Sequence, residues 1–122
     1  MAMETGHFAA SSTMSGLESE MLGQKNDNGK PMWSLLPFKA VEEIVKVFDF
    51  GAQKYCRHNW VHVDDFENRY LSAALRHMAA YGDGEDKDEE SGLYHLAHAG
   101  ACILFLLWKE IKEKDDNDRN KD

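Results

Sequence analysis

Glu85, Asp86, Asp88 and Glu90 place four carboxylates within one short stretch of chain. Carboxylate oxygens are hard donors of the kind that Mg²⁺ and Mn²⁺ select. The surrounding loop, Gly82 to Glu90, carries six acidic residues and one lysine and leads into an apolar stretch that reads as a helix. Phosphate oxygens are favoured at such a helix start, because the first amides are unpaired and the helix dipole attracts anions. The same composition also suits a solvated turn whose acids stabilise the helix N-terminus, and both readings stand.

Three further groups carry chemistry. His95 and His98 stand three residues apart and share a helix face, with Cys102 one turn beyond. Such a row can bind a metal, or it can be a buried, hydrogen-bonded pair. Arg69 and Arg76 lie two turns apart, with His77 beside the second. Their guanidinium forks match phosphate oxygens, and they also suit ordinary pairing with the acidic loop. Lys54, Asn59 and Trp60 form a polar and aromatic group between helices, where a tryptophan can stack on a base or simply anchor its loop.

Helices must position these residues. After Pro37, apolar side chains recur at Phe38, Val41, Ile44, Val45 and Phe48, which predicts a helix that stops at Gly51 or continues towards Tyr55. Asp64 or Asp65 caps a second helix with Tyr70, Leu71, Ala74, Leu75, Met78 and Ala79 on one side, ending near Gly82. Ser91 reads as the cap of a third helix that is apolar on nearly every side from Ala97 to Trp108. A lone three-helix unit cannot cover such a helix, so the fold class expected is all-α, a helical bundle completed by oligomerisation as a dimer or larger. From Lys109 the chain is nearly all charged, and the helix is expected to fray there.

The pattern divides into a flexible N-terminal segment over residues 1–28, a folded domain over 29–110 and a charged C-terminal tail over 111–122. A formal charge of −8 argues against broad binding to a nucleic-acid backbone. Two cysteines are too few for a disulfide framework, and no signal segment is evident, which predicts a cytoplasmic protein. The apolar run from Leu93 to Trp108 is shorter than a bilayer span and contains two histidines, so no membrane partner is expected.

Lys30-Pro31, the stretch Gly51-Ala52-Gln53-Lys54-Tyr55 with Asn59-Trp60, the run Tyr70 to His77, and the block Gly84 to Ala99 together resemble the phage dATP/dGTP diphosphohydrolase family, relatives of the MazG-type pyrophosphatases. The resemblance covers about residues 30 to 108, and its most specific parts are Arg76-His77 and Glu90-Ser91-Gly92-x-x-His95-x-x-His98. It implies a MazG-like all-α fold and a metal-dependent reaction that converts dATP or dGTP to its monophosphate and pyrophosphate. The sequence departs from the wider MazG pattern of Glu-x-x-Glu and Glu-x-x-Asp helices: Glu43 is spaced to Lys46, and the last helix reads His95-x-x-His98.

On this reading the metal ligands come from Glu85, Asp86, Asp88, Glu90 and His95, with Mg²⁺ or Mn²⁺ as cofactor. The catalytic group is His77, Glu90, His95 and His98, with His98 or His77 as proton acceptor. Lys30, Lys54, Arg69 and Arg76 steady the phosphates, while Asn59 and Trp60 contact base or sugar. The altered carboxylate pattern motivates one rival, a protein that sequesters a nucleotide without hydrolysing it. A separate rival is a structural zinc site built from His95, His98 and Cys102, with or without Cys56.

Overall fold

The computed structural model describes residues 22–121, so most of the expected flexible segment, residues 1–21, lies outside the described residues. Two units are distinguished, one ending at Ser34 and one beginning at Leu35. In the first, the Lys30 amide donates to the Asp27 carbonyl at 3.1 Å, closing a turn before Pro31. A 3₁₀ turn, Trp33–Leu35, spans the boundary.

The second unit contains three helices, α1 (Phe38–Lys54), α2 (Phe66–Gly82) and α3 (His95–Arg119), and a 3₁₀ turn, Asn59–His62, between α1 and α2. Among the described residues there is no named strand, and the fold is all-α. The Pro37 carbonyl opens α1 by accepting from the Ala40 and Val41 amides at 3.0 and 3.1 Å. Proline fits that position because its missing N–H would have had no helical partner. Gly51 does not end the helix, which continues to Lys54. Asp65 takes the left-handed conformation before α2, with φ 50°, and its carboxylate accepts from the Asn68 side chain at 3.0 Å. No side-chain bond from Asp65 caps the helix amides.

The core is made of small side chains. Ala97, Ala99, Ala101 and Cys102 of α3 are buried, as are Phe66 and Ala74 of α2. A Cβ at Gly100 would lie 2.8 Å from Ile44 Cδ1, so the glycine allows α1 and α3 to approach closely. Around the Asn59–His62 turn, Trp60 stacks on Phe105 with centroids 4.3 Å apart and meets Trp108 edge-on at 4.8 Å. Phe48 and Tyr70 reach the same Phe105 ring from α1 and α2, which ties all three helices to the turn.

Two expectations are corrected. Ser91 does not cap α3, which starts at His95 after Tyr94 in an extended conformation. Ser91 instead belongs to a tight loop closed by bonds from Gly92 N to Asp88 O and Asp88 N to Leu93 O, each 2.8 Å. Nor does α3 fray at Lys109; it runs to Arg119. The Lys109–Glu113 and Lys112–Asp116 ion pairs lie one turn apart, and Lys109 also reaches Glu67 of α2 at 3.0 Å. These pairs support an exposed helix that apolar packing does not hold.

Candidate active site

The loop between α2 and α3 reverses direction through Gly84 and Gly92, whose φ values of 95° and 72° favour glycine. The His95 amide then donates to the Asp86 carbonyl at 2.9 Å, which docks the loop on the first turn of α3. His95 and His98 project towards α2, where His77 meets both rings. His77 and His98 are stacked at 4.5 Å with an interplanar angle of 9°. His77 Nδ1 and His95 Nδ1 are 2.8 Å apart, and His95 Nε2 is 3.0 Å from Glu85 Oε1.

Proton accounting orients these groups. A carboxylate only accepts, so His95 Nε2–H donates to Glu85, leaving His95 Nδ1 as a lone pair facing His77. In the metal-free network, His77 Nδ1–H supplies the single proton between the two rings. On the other side, Asp88 Oδ2 accepts from the Ser91 amide at 2.9 Å and from the Ser91 hydroxyl at 3.0 Å. With its one proton given to Asp88, Ser91 Oγ accepts from the Leu93 amide at 3.1 Å and from His98 Nε2–H at 2.7 Å. The lone pair of neutral His98 therefore sits on Nδ1.

Burial, reinforced by the charges of His98 and His95, holds the His77 pKa below the usual imidazole range. Burial does the same for His98, against the opposing pull of Asp88. Burial works to raise the Asp88 pKa, but the Ser91 amide and hydroxyl outweigh it and hold the carboxyl below its ordinary value. The site thus favours neutral imidazoles at His77 and His98 beside a charged Asp88 carboxylate.

Next to this cluster lies a cavity of about 880 Å³ within the second unit, bounded by α1, the Asn59–His62 turn and the facing sides of α2 and α3. Lys54, Asn59, Trp60, Arg69, Arg76 and His98 all line it. Lys54 is paired with Glu90 at 2.6 and 3.1 Å, a contact that raises the pKa of its ammonium, and Arg69 is paired with Asp64 at 2.9 Å. One face of Trp60 is taken by Phe105, so its ring anchors the turn that presents Asn59.

The structure therefore divides the residues expected to hold metal. Asp88 and His95 join His77, with donor atoms within 4.8 Å of one another, and Glu85 holds the far nitrogen of His95. Asp86 contributes its backbone carbonyl to this network, and the Glu90 carboxylate turns to Lys54. Lys30 belongs to the first unit. Among the described residues neither cysteine joins a metal-binding group: Cys56 is exposed, and burial pushes the Cys102 thiol up to about 11. Sequence reasoning overlooked Ser91 as part of the site. The signal was Asp88 three residues before Ser91, a spacing at which an aspartate side chain accepts from the following turn.

A family model described as dATP/dGTP diphosphohydrolase, N-terminal, matches residues 20–119. A dATP/dGTP diphosphohydrolase of Salmonella phage PMBT28 is 36% identical over 99 residues, covering 81% of this chain and 33% of that protein. The chain thus spans about one third of the length of this relative. No solved structure matches.

Proposed function

The chain belongs to the dATP/dGTP diphosphohydrolase family, and on that premise we propose that it hydrolyses dATP or dGTP between the α- and β-phosphates, releasing the monophosphate and pyrophosphate with a divalent metal ion as cofactor. The observation that carries this reading is that His98 belongs both to the imidazole–carboxylate cluster and to the wall of the cavity lined by Lys54, Arg69 and Arg76. Cations suited to a triphosphate and a proton acceptor meet at one place.

His77, Asp88 and His95 fit a metal ion in number and spacing, each offering one donor atom. When bound, the ion supplies positive charge to the phosphates and acidity to a nearby water. The protein's own groups do the rest. Lys54 and Arg69 exchange Glu90 and Asp64 for phosphate oxygens, an inexpensive exchange because solvent screens exposed ion pairs. Arg76 completes the grip, His98 accepts a proton at Nδ1, and Asn59 faces the base or sugar. Positioning and charge stabilisation are what phosphoryl transfer chiefly requires.

The proposal includes a dimer or larger oligomer. Ile103, Leu104, Leu107 and Ile111 lie along one stripe of α3 and are 43–55% exposed in the single chain, an apolar surface that a second copy would cover. Light scattering should give at least twice the 13.9 kDa chain mass, and a monomer at micromolar concentration would remove this part. Among the described residues no helix is long and apolar enough to cross a membrane.

Incubation with each deoxynucleoside triphosphate and a divalent ion, followed by chromatography of the products, tests the reaction. Deoxynucleoside monophosphate and pyrophosphate from dATP or dGTP are expected. Intact nucleotide bound after long incubation would replace hydrolysis with sequestration, and release of orthophosphate alone would place cleavage at another bond.

A further inference from the structure

The acidic loop suggests a Mg²⁺ site made of carboxylates, but the donor atoms that converge are of another kind. Among the described residues the group able to hold a metal comprises His77, Asp88 and His95, two imidazoles and one carboxylate. We propose that this cluster is a site for an imidazole-preferring transition ion of the Zn²⁺, Co²⁺ or Fe²⁺ class in preference to Mg²⁺. The inference deepens the reading above by assigning the cofactor of the same site.

The two facing nitrogens carry the argument. His77 Nδ1 and His95 Nδ1 are 2.8 Å apart, so the two ring nitrogens face one another with a single proton between them and lie beside the Asp88 carboxylate. Glu85 fixes the choice on one side, because its bond to His95 Nε2 at 3.0 Å directs the lone pair of His95 Nδ1 towards His77. A carboxylate on the outer nitrogen of an imidazole ligand is the usual support for a metal-binding histidine, setting its tautomer and raising its basicity. Asp88 is held in turn by the Ser91 amide and hydroxyl at Oδ2, which fixes the orientation of the third donor.

The surroundings oppose Mg²⁺. His95 is only 5% exposed. Mg²⁺ gives up water reluctantly and prefers six oxygen ligands, whereas neutral imidazole suits zinc, iron, cobalt and their neighbours. The other carboxylates of the loop do not repair this mismatch, since Glu85 is spent on His95 and neither Asp86, Glu89 nor Glu90 is among the converging donors. For a divalent ion to be held there, the His77 proton would move from Nδ1 to Nε2 and the two Nδ1 atoms would part to roughly 3.3 Å, the spacing set by bonds of about 2.0–2.1 Å at a tetrahedral angle.

The test is a titration of the purified full chain, dialysed against chelator, with Co²⁺ as a visible-absorption probe. One Co²⁺ per chain is expected, displaced stoichiometrically by Zn²⁺ and retained in about a thousandfold excess of Mg²⁺. His77→Gln and Asp88→Asn should each weaken Co²⁺ binding by at least about tenfold and Glu85→Gln by about tenfold, while Glu89→Gln binds as the wild type does. Displacement of Co²⁺ by Mg²⁺ at comparable concentration overturns the proposal, as does undiminished binding by folded His77→Gln. Should a variant fail to fold by circular dichroism, the competition on the wild-type chain decides the matter alone. The two readings fail separately: stoichiometric Co²⁺ binding without nucleotide hydrolysis removes the reaction and keeps the site, and hydrolysis with Mg²⁺ in a chain that binds no Co²⁺ removes the site and keeps the reaction.

Discussion

Replacing Ser91 with alanine removes a single oxygen that joins three parts of the site. Its hydroxyl donates to Asp88 at 3.0 Å and accepts from the Leu93 amide at 3.1 Å and from His98 Nε2 at 2.7 Å. Asp88 keeps the Ser91 amide at 2.9 Å, and its side chain, 25% exposed, can recruit water. His98 is only 13% exposed and has less access to a replacement, and a buried donor left unpaired costs about 1–3 kcal/mol. The loss of one ordinary bond at Leu93 adds about 1 kcal/mol, and water at Asp88 recovers part of it. A net destabilisation of about 2 kcal/mol follows, which for a folded unit of this size lowers Tm by roughly 8–16 °C. Urea denaturation followed by circular dichroism measures the first quantity and a thermal melt the second. Ser91→Thr keeps the oxygen and should retain most of the stability. A change of less than about 0.5 kcal/mol in Ser91→Ala would show that these three bonds do not act together as described.

Other consequences are equally direct. Gly100→Ala gains about 1 kcal/mol of helix propensity but drives a Cβ into Ile44, and overpacking costs about 1–3 kcal/mol. Urea midpoints should show a net loss in the single variant and partial relief when Ile44→Val removes the Cδ1 atom, whereas strict additivity would refute the close contact. His77 and His98 have pKa values below their unfolded values, so the unfolded chain binds more protons on acidification. Their contribution is present above the unfolded imidazole value of about 6.5 and is lost as pH falls through the folded values. In metal-free protein the urea midpoint should therefore drop between about pH 7.5 and 5.5, less steeply in His98→Gln, and equal slopes would count against it. Iodoacetamide at about pH 8 should alkylate exposed Cys56 and spare Cys102, whose thiol is pushed up to about 11; mass spectrometry showing equal labelling would contradict that burial.

The helices were legible in the sequence because α1 and α2 carry an apolar period and α3 a long apolar run, and α2 follows its stripe from Phe66 to Gly82. The spacing of His95 and His98 also indicated a shared face, and both rings meet His77. The partner of Glu90 was not legible, since Lys54 is 36 positions away and only the path of the loop brings them together. The acidic stretch resembled one cluster in sequence, but in the tight loop from Asp88 to Leu93, Asp88 joins the imidazole cluster while Glu90 pairs with Lys54 of α1. Ser91 was misread for a related reason: its hydroxyl is used within the loop, donating to Asp88 and accepting from the Leu93 amide, and the helix starts only at His95.

Every group of the imidazole–carboxylate cluster comes from one helix–loop–helix stretch between His77 and His98, whereas Lys54 reaches the site from α1. Closing so short a loop costs little chain entropy, and contacts of low sequence separation form quickly. The stretch can therefore assemble its proton network before α1 docks on Gly100, and the wall of the cavity that Lys54 lines is completed only when that docking occurs. On the function proposed above, substitutions at Lys54 in α1 would alter the grip on the triphosphate without rebuilding the cluster between His77 and His98, and those within that stretch would do the reverse.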